Sequence, residues 1–449
     1  MAVAGVPTEL GTEKVSRLLR QYAVPAIIAM TASSLYNMVD SIFIGHGVGK
    51  FAIAGLALTF PMMNLGAAFG ALVGVGASAT ISMLLGQKNY EMAQKVLGNV
   101  VTLNTIIGLV YTIIFMIFLD PILYFFGASE NTIGYARDYM TIILIGNIIT
   151  HMYLGLNAVM RSAGMPKKAM YATIFTVIVN AILDPLFIYV FDWGIKGAAI
   201  ATIIAQTMAL IWITKIFSNK QLVIHFRKGI YKLKKRIVKD VISIGMAPFF
   251  MNTAACLIVI LINQGLQRHG GDLAIGAYGI VNRVSFVFVM IVLGLNQGMQ
   301  PIVGFNYGAK QFARVKDALK LTILYATTIM TLGFLLAEIF PRQIVMIFTT
   351  DEELINQAIR GMRIVFACFP IVGFQIVTGN FFQSVGLAGK SVFLSLTRQL
   401  LFLLPGLLIF PYFFNADGIW MSMPISDGLS SLVAFILLYN QMKKFKTVQ

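Results

Sequence analysis

Gly86-Gln87-Lys88-Asn89-Tyr90 and Gly308-Ala309-Lys310-Gln311-Phe312 are one turn met twice, 222 positions apart. The same shift carries Ser162-Ala163-Gly164 with Lys168 onto Ser384-Val385-Gly386 with Lys390, and Phe126, Ala136 and Met140 onto Phe348, Ala358 and Met362. Scattered identities at that distance are close to chance, but turn glycines and lysines that hold one register over about 140 residues mark a duplication. A late slip of two, Gly194-Ile195 against Gly418-Ile419, reads as a loop insertion. A duplicated, strongly apolar chain is the expected signature of a transporter built from two like halves, with its site between them.

The chain has 449 residues, 58% hydrophobic and 12% charged, far from the roughly 25% charge of a soluble domain. Apolar runs separated by short polar turns give about twelve spans near the ~20 residues that cross a bilayer. They are expected at 16–44, 51–85, 95–119, 132–157, 169–190 and 197–217, then 240–266, 274–304, 317–340, 353–380, 391–413 and 418–441. Alternating patterns never persist, and backbone satisfaction in lipid then leaves helices. The expected fold is an all-α polytopic membrane protein, with lobes at 1–217 and 240–449 joined by a basic cytoplasmic linker at 218–239.

The net charge of +16 would suit nucleic acid if it were spread over one surface, but it is not. Of 34 Lys and Arg, 25 fall beside segments that share one side if the amino terminus is cytoplasmic, and the opposite loops hold four, Lys50, Lys196, Arg268 and Arg342. That is the positive-inside asymmetry, and it places both termini in the cytoplasm. The expected surroundings are a lipid bilayer, the bacterial inner membrane, with a small-molecule substrate, no nucleic-acid partner and a monomeric state. Met1 to Glu13 lacks the apolar core of a signal peptide, so the first span is expected to stay as an anchor. Cys256 and Cys368 lie in apolar spans and read as packing residues. The run from Arg227 to Arg236 is expected to lie as an amphipathic linker on anionic headgroups.

Charged side chains inside spans are costly and mark functional candidates. Asp40, Asp184 and Thr202 fall at similar depths in the outer part of their spans. Asn180 and Asp184 are four apart on one helix face, as are Ala198 and Thr202. Pro185 disturbs the helix directly after Asp184. Two carboxylates, an amide and a hydroxyl at one depth make a chemically sensible Na⁺ site at Asp40, Asn180, Asp184 and Thr202. The same group could instead share a proton, and nothing in the spacing decides between them. Pro25 and Pro248 occupy matched places early in spans 1 and 7, where a helix could bend.

These features together resemble the multidrug and toxic compound extrusion (MATE) transporters: the duplicated plan, Pro25, Ser34-Leu35-Tyr36-Asn37-Met38-Val39-Asp40, the Arg161-Ser162-Ala163-Gly164 turn, and Asn180 with Asp184-Pro185. The resemblance implies two six-helix, pseudo-symmetric lobes forming a V-shaped cavity, and export of organic cations or amphiphiles in exchange for H⁺ or Na⁺. It implies a coupling site at Asp40, Asn180, Asp184, Ala198 and Thr202, with no cofactor beyond the coupling ion. It places Tyr36, Asn37 and Asn157 in the substrate cavity, and links occupancy of Asp40 to bending at Pro25. Arg283 is a further cavity candidate, or the anchor of a polar network. The acidic residues that another branch carries in spans 7 and 10 are missing here, since 249–264 and 365–382 contain none.

Arg398 and Asp427 are expected to pair between spans, and His151 to serve helix packing; Arg137, Arg360 and Arg363 sit near span ends and are expected to snorkel. A flippase for lipid-linked sugars is the alternative, disfavoured because pyrophosphate needs cations where the site offers acids. An enzyme is not indicated: His46, His151, His225 and His269 are dispersed and no G-x-S-x-G elbow occurs. The duplication is chemically broken. Its shift takes Asp40 to Ile262, Asn180 to Phe402 and Asp184 to Gly406, and with the slip Thr202 to Ser426, so the oxygen cluster exists in one copy.

Overall fold

The computed structural model describes residues 7–48 and 50–447; within its helices the side chains of 35–39, 41–42, 45–47, 50, 53, 272 and 446–447 lie outside the described set, Lys50 and Lys446 of the charge pattern among them. Among the described residues every regular element is helical. The first repeat gives α1 (Val15–Gly47), α2 (Lys50–Gly86), α3 (Tyr90–Ile117), the broken α4 (Ile133–Ile145 and Asn147–Ser162), α5 (Pro166–Pro185, continued by a wider π turn, Leu186–Val190) and α6 (Gly194–Phe217). The second gives α7 (Lys235–Gly271), α8 (Leu273–Gly308), α9 (Phe312–Ile339), the broken α10 (Glu352–Phe366 and Phe369–Ser384), α11 (Ala388–Ile409) and α12 (Pro411–Phe445). Nine of these are individually long and apolar enough to cross a membrane, and eleven if each bent pair is one span. The remaining expected span corresponds to α1, several of whose side chains are outside the described set.

The duplication holds at atomic detail. Lys88 and Lys310 both sit in the left-handed region, with φ of 60° and 59°. In each turn the same two backbone bonds form: Lys88 N to Leu85 O and Asn89 N to Leu84 O, then Lys310 N to Tyr307 O and Gln311 N to Asn306 O. A feature not expected from the sequence is also duplicated. The fourth span of each repeat breaks, by 54° before Asn147 and by 52° before Phe369, and Gly146 and Cys368 at the breaks are again 222 apart.

The chain divides into two compact units that exchange segments: one is Met1–Thr12 with Ile28–Phe249, the other Glu13–Ile27 with Phe250–Gln449. This differs from the expected division at the linker, and the physical reason is close helix packing through glycine. In the first unit the start of α7 packs on α2, where a Cβ on Gly76 would sit 2.0 Å from Val241 O and one on Gly245 1.8 Å from Leu72 O. In the second, the start of α1 packs on α8, where a Cβ on Gly298 would sit 2.4 Å from Ala23 Cα and one on Gly294 2.6 Å from Ile27 Cα. Pro25 and Pro248 lie within two residues of the points where α1 and α7 pass from one unit to the other.

The basic linker packs against the protein itself. Between Phe217 and Lys235 it forms no helix, and it is strapped back across α3. Asn99 Nδ2 donates to Ile230 O (3.3 Å) and Lys232 O (3.2 Å), Asn99 Oδ1 accepts from Lys234 N (3.0 Å), and Thr102 Oγ1 donates to Tyr231 O (2.8 Å). Ile230 is buried, over Gly98, where a Cβ would meet Ile230 O at 2.3 Å. The ammonium of Lys95 holds the pKa of Lys234 below the ordinary lysine value. Asn99→Ala removes three of these four ties and is expected to cost about 2 kcal/mol locally. Limited trypsin digestion should then cut the linker roughly thirtyfold faster than in wild type, if cleavage follows the open population.

The charged residues expected to snorkel are ion-paired. Arg137 makes a two-point contact with Asp120 (2.7 and 2.8 Å), and Arg360 and Arg363 pair with Asp417 and Glu338. The expected Arg398–Asp427 pair forms, with Asp427 buried.

Candidate functional site

The polar cluster expected from the sequence comes together within the first unit. Asp40 projects from α1 fifteen residues beyond Pro25, and Asn180 and Asp184 share a face of α5 one turn apart, with Ala198 and Thr202 likewise on α6. All five are buried, at 5%, 1%, 0%, 0% and 6% exposure in the order Asp40, Asn180, Asp184, Ala198, Thr202. An apolar cluster of Ile44, Ala52, Tyr139, Ile188, Ile195, Ala198 and Ala199 packs around this end of α1. It excludes water, which raises the cost of any unmatched charge.

Asn180 Nδ2 donates to Asp184 Oδ1 (3.1 Å) and to Thr202 Oγ1 (3.3 Å), and Thr202 Oγ1 donates to Ala198 O (3.1 Å). Ala198 thus contributes a carbonyl already in use and a methyl in the apolar cluster. The buried carboxyls of Asp40 and Asp184 lie close enough to act on one another. Two ionised carboxylates have only acceptors, so a shared proton or a cation would satisfy both. Among the described residues, Asp40 Oδ1, Asp184 Oδ2 and Asn180 Oδ1 are buried without a hydrogen-bond donor. Three oxygen acceptors left unmatched in a dry site fit a bound proton or a hard monovalent cation. Among the described residues no three His, Cys, Asp or Glu side chains converge. Pro185 lacks the N–H that would close a turn on Ala181 O, and the chain runs on as the π turn, Leu186–Val190.

None of the other expected residues that the structure describes joins this cluster. The side chains of Tyr36 and Asn37 lie outside the described residues. Asn157 is buried, donating to Ala169 O (3.0 Å) and Thr173 Oγ1 (3.4 Å) and accepting from Arg161 (2.5 Å). It ties α4 to α5. Arg283 is exposed on α8, with no ion pair among the described residues. His151 is buried, with Nε2 2.9 Å from Gly66 O, in keeping with a packing role.

Sequence reasoning passed over one neighbour. Gln206, a turn from Thr202 on α6, accepts from Thr150 Oγ1 of α4 at 2.5 Å. The i, i+4 spacing of Thr202 and Gln206 was the available signal. In the second unit the equivalent of Asp40 is the buried Ile262, and a Cβ on Gly406, the equivalent of Asp184, would lie 3.2 Å from Ser422. Neither position supplies a side-chain oxygen there.

Comparison with known proteins agrees with this duplication. The family model described as MatE matches the chain twice, over residues 25–186 and 245–408. The multidrug export protein MepA of Staphylococcus aureus (strain N315) is 26% identical over 425 residues, covering 95% of this chain and 94% of its own. A solved MATE multidrug transporter, DinF-BH, is 36% identical with a TM-score of 0.89, covering 96% of both chains. A MATE structure in a bent conformation superposes with a TM-score of 0.93 at 23% identity, covering 99% of this chain and 98% of that one, and so supports the fold.

Proposed function

This chain belongs to the MatE family, whose members are membrane transporters and not enzymes, and from that premise we propose that it exports organic cations or amphiphilic drugs in exchange for an inward-moving cation bound at Asp40 and Asp184. The observation that carries the proposal is the burial of these two carboxyls in one polar cluster, with Asp40 Oδ1 and Asp184 Oδ2 given no donor among the described residues, an arrangement that a proton or cation would neutralise. Export of multiple drugs is what the printed name of the MepA relative describes for that protein, and covering nearly the whole length of both chains favours the same cargo class here.

The proton is the first reading. One shared proton would satisfy both carboxyls, and Asn180 holds Asp184 while Thr202 orients Asn180. An incoming proton neutralises the pair, and its loss leaves buried negative charge that favours the state reached by the other face of the membrane. Transport couples because proton and substrate differ in affinity for the two states. Sodium is the second reading, favoured by the three oxygens of Asp40, Asp184 and Asn180 that have no donor among the described residues.

Reconstituted vesicles under separate Na⁺ and pH gradients distinguish the two. Proton coupling predicts dye export with a pH gradient in Na⁺-free medium. In that case Thr202→Val costs about 1 kcal/mol, the loss of one neutral hydrogen bond, and export continues. Sodium coupling predicts no export without Na⁺, and in that case Thr202→Val removes a ligand and raises the Na⁺ requirement about tenfold. No response to either gradient would refute the proposed exchange.

A further inference from the structure

The outer seam of α5 and α6 carries an apolar groove of about 600 Å³, within the range of small-ligand sites. Tyr171, Phe175 and Ile178 line it from α5, and Met208, Ile211 and Trp212 from α6. Tyr171, Ile178 and Ile211 are 53%, 52% and 62% exposed, so the groove is open along its length. Each helix shows the same register. Lys167 and Lys168 lie four and three residues before Tyr171, and Lys215 lies four and three after Ile211 and Trp212. Residues at those spacings share a helix face, so three lysines crown one end of the groove. All three are exposed. None enters an ion pair among the described residues.

No Asp or Glu occurs in 139–183 or in 193–239. An organic cation would therefore find no acidic partner on this seam and three like charges at its mouth. A second copy of the chain would have to bring acids to meet those lysines. The chemistry that suits both ends at once is an anionic phospholipid, with an acyl chain along the aromatic and aliphatic groove and its phosphate on the lysines. We propose that the α5–α6 seam is a specific binding site for an anionic phospholipid of the leaflet on the lysine side. Tyr171 and Trp212 have the amphipathic character of residues at the lipid–water boundary, one turn below the charged heads. Asn180, Asp184 and Thr202 lie on the buried faces of the same two helices. A lipid seated here would brace the pair that carries the coupling residues; that consequence rests on the function proposed above, whereas binding does not.

Native mass spectrometry of the purified full-length protein, titrated with phosphatidylglycerol and phosphatidylcholine of identical acyl chains, tests the site. Wild type should retain phosphatidylglycerol preferentially. The triple variant Lys167→Gln, Lys168→Gln, Lys215→Gln should lose roughly a hundredfold of that preference, from the contribution of each basic residue near an anionic headgroup. Ile178→Trp, which fills the groove and leaves the lysines, should lower retention of both lipids. An unchanged preference in the triple variant overturns the proposal, as does unchanged retention in Ile178→Trp. A dimer in the wild-type spectra that disappears with Ile178→Trp would assign the face to self-association and overturn it equally.

Discussion

Asp40→Asn and Asp184→Asn should each reduce gradient-driven export by at least about a hundredfold, the upper range of a coupling free energy, while the protein remains folded in the membrane. The substitutions are nearly isosteric, and an amide can donate to the remaining carboxylate, so the geometry of the pair survives. The change of charge does not survive, because one partner can no longer gain or lose a proton or neutralise a cation. Burial removes any water that could compensate. Downhill equilibration of dye without a gradient should persist, since neither substitution changes the chain's packing. Efflux measured alongside the elution profile separates the two effects. Undiminished driven export in both variants would remove the pair from the mechanism.

Gly245→Val should prevent accumulation of folded protein. A Cβ at this position would lie 1.8 Å from Leu72 O and 2.6 Å from its carbonyl carbon, against backbone that no side-chain rotation can move. Helices in lipid associate through close packing of small residues, without a hydrophobic drive between them. Forcing α7 and α2 apart also breaks the facing contact, where Gly76 meets Val241 O. The cost is expected to be about 3 kcal/mol or more. Gly279→Val is the matched control, because a Cβ there meets nothing within 4 Å. Comparing the monodisperse fraction of each variant in detergent checks the prediction. Equal recovery of Gly245→Val and Gly279→Val would contradict the packing described.

What could be read from residues alone was what is local or periodic. Apolar runs of span length, the Lys88 and Lys310 turns and the spacing of Asn180 and Asp184 belong to that class, and all occur where expected. The exchanged starts of α1 and α7 were not legible, because they depend on glycines meeting backbone far away in sequence, as Gly298 meets Ala23. The 222-residue shift does connect the two crossings, taking Ala23 to Gly245, Leu72 to Gly294 and Gly76 to Gly298, but only the contacts give that pattern meaning. The strapping of the linker was illegible for a similar reason: its charge suggested headgroups, and nothing in it announces that its carbonyls are held by Asn99 and Thr102 of α3. Asn157 was expected in the cavity through resemblance alone, and the bonds it makes to α5 and Arg161 were not legible.

The most direct test is calorimetric titration of an organic cation dye into the purified protein, in Na⁺-free solution, in two buffers of different ionisation enthalpy. If substrate and proton compete through the Asp40–Asp184 pair, binding to wild type releases protons near neutral pH, and binding to Asp40→Asn or Asp184→Asn releases none. Equal proton release from all three proteins would contradict the account.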